Sequence, residues 1–88
     1  MIRLGFSELL ERVIYANVMA HAYRSNVLNE TNDNGNEVEI AVVTEICQAA
    51  GWTYEEYQIA YDRDDKASKR YIETHRMLYA AIRRRLQG

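Results

Sequence analysis

Three side chains offer soft-ligand or nucleophilic chemistry: His21, Cys47 and His75. No two of them share a helical turn, so a zinc site has no anchor here. Cys47 sits between Ile46 and Gln48 inside a predicted helix, the ordinary setting of a buried, inert thiol. Paired carboxylates occur at Glu55-Glu56 and Asp64-Asp65. Both pairs fall at expected helix starts, where capping and the helix dipole account for them. From Glu30 to Ala41, Asn32, Asn34 and Gly35 match positions three, five and six of a calcium loop. Glu30, Glu37 and Ala41 depart from it at positions one, eight and twelve, and Ala41 removes the bidentate carboxylate. No serine stands in a nucleophile elbow, and no glycine-rich loop is present to cradle a phosphate. The expectation is therefore a protein without metal, cofactor or catalytic residues, and not an enzyme.

These residues sit on four expected helices, at about 8–28, 37–50, 54–62 and 65–86. Ser7 is the expected cap of the first. Asn36 and Glu39 form a capping box for the second, which Gly51 stops. Thr53-Tyr54-Glu55-Glu56 is a further capping box, with Trp52 placed as a buried staple toward Tyr57. Residues 37–43 also read as an alternating β-branched strand after Asn34-Gly35, although no partner strand precedes that turn. In the last helix, Tyr71, His75, Leu78, Ile82 and Leu86 fall in one stripe. His75 is thereby read as a neutral core histidine.

The first helix is less regular. Leu9, Leu10, Val13 and Ile14 share one face. The apolar residues from Tyr15 onward centre about 150° away, leaving Asn17 and His21 on the earlier face. Three readings follow: a kinked helix, a helix burying one face against another molecule, or a central helix wrapped by its own domain. Asn17 and His21 can fix the register of a helix seam, or simply meet water.

Composition bounds the rest. At 88 residues the chain makes a single helical domain, 1–88, and no run is long and apolar enough to span a membrane. Its 48% hydrophobic and 27% charged content excludes a disordered chain. The single cysteine and the lack of a secretory apolar segment point to a cytoplasmic setting. A net charge of −2 hides two opposed parts. Residues 66–88 carry seven bases against Glu73, whereas residues 1–65 carry twelve acids against four bases. Such polarity serves internal pairing or two oppositely charged surfaces.

The span Val43 to Ala60 resembles a helix-turn-helix unit. Cys47 supplies the small residue four before the turn glycine, Gly51 the glycine, and Trp52 and Tyr57 the apolar positions after it. The resemblance implies a helical hairpin at 37–62. It departs where DNA would be read, because the second helix offers Tyr54, Glu55, Glu56, Gln58, Ile59 and Asp62 and no base.

Two functional readings come from these patterns. The first is a small non-catalytic protein–protein interaction module, an adaptor, inhibitor or regulatory subunit. Its partner is another protein or a second copy, held through Tyr15, Asn17, Met19, His21, Tyr54, Glu55 and Ile59. The alternative is a nucleic-acid-binding regulator, with Lys66, Lys69, Arg70, Arg76, Arg83 and Arg84 contacting phosphates and the hairpin as scaffold.

Overall fold

The computed structural model describes residues 2–26 and 38–86. These form α1 (Phe6–Asn26), α2 (Ile40–Ala49), α3 (Tyr54–Arg63) and α4 (Ala67–Leu86), and no strand occurs among them. The chain is all-α, as expected, and its helices surround one core. No helix among the described residues is long and apolar enough to cross a membrane.

Local hydrogen bonds explain where the boundaries moved. Leu9 N–H donates to Gly5 O at 3.1 Å, so α1 starts at Phe6 and Ser7 lies inside its first turn instead of capping it. The Ser7 hydroxyl accepts instead from Arg70 Nη1 at 2.8 Å. The second helix starts later than expected, with Glu39 at its cap position. Val38 N–H is engaged by Asn17 Oδ1 at 2.8 Å, which ties that backbone to α1 just before α2 begins. Asn36 and most of the calcium-like segment lie outside the described residues. The strand reading fails from Ile40 onward. A helical turn brings Val43 and Cys47 into the core and leaves Glu45 exposed, whereas strand alternation would put all three on one face.

The start of α3 follows the sequence closely. Thr53 Oγ1 accepts from Glu56 N–H at 3.1 Å, and Glu56 Oε1 accepts from Thr53 N–H at 2.9 Å. These bonds, with the Arg3 guanidinium 2.9 Å away, hold the Glu56 carboxyl below the usual carboxylate range. At the far end, Asp64 O accepts from Ala67 N–H and Asp64 Oδ1 from Lys66 N–H, turning the chain into α4.

Trp52 keeps only a minor part of its surface exposed, in line with the largely buried staple expected. Its indole N–H donates to Leu4 O at 2.8 Å, and the Arg3 guanidinium lies 3.9 Å over the ring. Phe6 bridges Trp52 and Tyr57, with centroids 6.2 Å and 6.0 Å away. The N-terminal segment thus completes a staple that the hairpin does not close alone.

The central element is α1. Leu9, Leu10, Ile14 and Val18 are fully buried, against a layer that includes Val43, Cys47, Ala50 and Tyr57. Its contacts with α4 advance in the same sense along both helices: Arg70 meets Ser7 and Glu11, Tyr71 meets Asn17, and His75 and Tyr79 meet His21. The two longest helices therefore run parallel, and the α2–α3 hairpin carries the chain back between them. The expected swing of the buried face does not occur. Core contact continues past Ile14 through Asn17, Val18 and Ala22, so neighbours wrap α1 over an arc of about 220°.

Candidate functional site

The uncovered side of α1 is a narrow sector. Tyr15, Met19 and Tyr23 recur every fourth residue and are 54%, 44% and 55% exposed. They occupy about 80° of the helix surface. Beside Tyr15 an open groove runs between α1 and α4, lined by Glu8, Glu11, Arg12, Thr74 and Leu78. The two tyrosine rings offer large contact area at low rotamer-entropy cost, and the Met19 thioether adds adaptable apolar surface.

Asn17 and His21 lie elsewhere. Asn17 is only 5% exposed. It donates to the Tyr71 hydroxyl at 2.5 Å and accepts from Val38 N–H, so both ends of its amide are committed within the domain. The register it sets joins α1, α4 and the entry to α2. His21 stacks on Tyr79 with centroids 4.3 Å apart and an angle of 9°. His75 stands 5.8 Å from His21, and Tyr71 lies 6.1 Å beyond His75. The stack shields His21 Nδ1 from water without supplying a hydrogen-bond partner.

His75, expected as a neutral core histidine, is half-buried on α4. Burial first, and the neighbouring His21 second, hold it below the usual imidazole range. The unfolded chain takes up that proton near pH 6.5, whereas the folded ring resists it until lower pH. Stability from this source is full above the unfolded value and is lost as the pH falls through the folded one. The Tm should fall between about pH 7.5 and about pH 5.5, and His75→Gln should flatten the fall. Equal slopes for the two proteins would assign the effect to other groups.

On α3, Glu55 is exposed and Ile59 is 45% exposed, on the side of the helix away from Tyr54, Tyr57 and Tyr61. Tyr54 is half-buried and its hydroxyl accepts from Gln58 Nε2 at 2.9 Å. Tyr54, Tyr57 and Tyr61 form a continuous wall, with successive centroids 6.5 Å and 6.2 Å apart. That wall borders a cavity of about 450 Å³ between α3, α1, α4 and the start of α2. No local pattern on α3 marks the cavity, since Asn17, Val38 and Tyr71 reach it from distant positions.

Cys47 is fully buried, and burial pushes its thiol up from the usual value. No group of three His, Cys, Asp or Glu residues capable of holding a metal occurs among the described residues. On α4 the expected basic face divides. Arg70 is used internally, 3.0 Å from Glu11 and hydrogen-bonded to Ser7. Arg83 lies 6.0 Å over the Tyr79 ring. Lys66, Lys69, Arg76, Arg84 and Arg85 are exposed, and none has an ion-pair partner among the described residues. No protein-family model, curated protein or solved structure matches this chain.

Proposed function

We propose that the protein is a small non-catalytic interaction module whose partner, another protein or a second copy, docks on the Tyr15–Met19–Tyr23 strip of α1. The observation that carries this reading is the exposure of three large side chains on the most deeply packed helix of the domain. Its core-facing arc is already filled, so the strip is dispensable for packing, and interface cores favour such residues. The lone, buried Cys47 suits a reducing, cytoplasmic setting.

The test is Met19→Lys. An ammonium in a desolvated strip should weaken association at least about tenfold, while helicity and Tm stay close to those of the parent. Capture from the native host with mass spectrometry, alongside sedimentation of the pure protein, reads hetero- and self-association together. Equal capture and equal mass for parent and variant would remove the strip from the function.

The exposed bases on and just before α4, without ion-pair partners among the described residues, favour a second reading, in which that helix contacts nucleic-acid phosphates. Gel shifts at two salt concentrations decide it, because phosphate contacts weaken steeply with salt. Binding that ignores salt, or no binding at low salt, rejects this alternative.

A further inference from the structure

We propose that the tyrosine-lined cavity beside α3 is a binding site for a small alkylammonium cation. It is separate from the α1 strip and does not depend on it. Tyr54, Tyr57, Tyr61 and Tyr71 all line the cavity, and Asp62 adds a carboxylate. Among the described residues, no lysine or arginine lines it. Aromatic faces carry negative potential and attract a cation within about 6 Å of the ring centre. Burial raises the Tyr57 phenol above its usual value, so that ring stays a neutral phenol across the physiological range.

Charge placement reinforces the choice of cation. Asp62 is exposed and has no ion pair among the described residues, so its charge is available to a ligand. Tyr61 and Asp62 lie in the last turn of α3, the negative end of that helix's dipole. The start of α2 brings an opposite dipole end, but Glu39 stands there at the cap position. Deep in the site, the Asn17 amide is satisfied by Tyr71 and Val38, so no unpaired polar atom of that residue asks for a neutral hydrogen-bonding ligand. Val13 and Val43 supply apolar contact for the alkyl groups. The cavity volume lies within the range of small-molecule sites.

Choline is the probe, with 3,3-dimethylbutan-1-ol as its uncharged counterpart of the same shape. Titration followed by proton–nitrogen NMR of the full chain should give saturable shifts at residues around the cavity. The alcohol should bind at least about tenfold more weakly, the factor expected if charge and not shape is recognised. Asp62→Asn, a surface change that leaves the core intact, should weaken choline by about threefold or more. Tyr61→Leu should weaken it similarly while circular dichroism stays that of the parent. No saturable shift with choline, equal binding of the alcohol, or unaltered binding by both variants would each overturn the proposal.

Discussion

Replacing Asn17 with alanine should destabilise the fold by about 2–4 kcal/mol, enough to lower the Tm by roughly 10 °C or more in a chain of this size. Asn17 is the one polar or charged residue among the buried described residues. Its amide joins three parts of the chain that are far apart in sequence, through Tyr71 on α4 and the Val38 backbone before α2. Alanine removes both bonds at once. It leaves the Val38 N–H without its acceptor in a half-buried position and opens space beside Val13 and Val18. Tyr71→Phe removes only one acceptor and should cost less, about 1 kcal/mol. Urea unfolding of the two variants and the double variant measures the coupling between the residues. A loss under about 1 kcal/mol for Asn17→Ala would mean that the amide follows the packing rather than setting it.

Asn17 also shows where sequence reading reached its limit. Helix periodicity located the four helices because the cues are local. Thr53 and Glu56 close their capping box within one turn, and Gly51 stops α2 as a left-handed turn residue should. The fate of α1 was not local. After Ile14 its apolar residues move round the helix, and periodicity alone leaves open whether Tyr15, Met19 and Tyr23 meet the core or another molecule. The structure keeps Asn17 and His21 on the core side, because Tyr71, Tyr79 and the Val38 backbone satisfy or stack on them. Each partner lies on a separate element, and a helical wheel of one segment contains none of them.

The same distinction separates the sites. Ile59 was legible as an exposed apolar residue because its angular position on α3 is opposite the tyrosines, and it is exposed. The tyrosine cavity was not legible, because three further elements close it. Charge was partly legible. The basic end does pair with the acidic remainder, but selectively, through Arg70 with Glu11, while Arg3 and Glu56 pair within the remainder. Both pairs are exposed, so each adds little stability, and their effect lies in orienting the N-terminal segment and α4 against α1.

That orientation makes Gly51 the most exacting position of the hairpin. Its φ of 83° lies in the left-handed region, which costs an alanine about 1–2 kcal/mol. A Cβ there would also stand 3.2 Å from Arg3 Cα and 3.3 Å from Arg3 Cβ. The obstacle includes backbone, so a side-chain rotation cannot relieve it. The N-terminal segment must shift instead, and it is held by Leu4 N–H donating to Ala50 O at 3.0 Å and by the Trp52 indole on Leu4 O. Gly51→Ala should therefore cost more than backbone strain alone, about 2–4 kcal/mol in urea unfolding. Gly51→Asn separates the two contributions: asparagine tolerates the left-handed region better but carries the same Cβ, so it should recover only the strain. Trp52 is the single tryptophan and reports the contact directly. Its emission should move to longer wavelength in both variants as Arg3 and Leu4 withdraw from the ring. Unchanged emission together with a cost below about 1 kcal/mol for Gly51→Ala would show that the N-terminal segment does not close over the turn, and the Phe6 bridge between Trp52 and Tyr57 would lose its support as well.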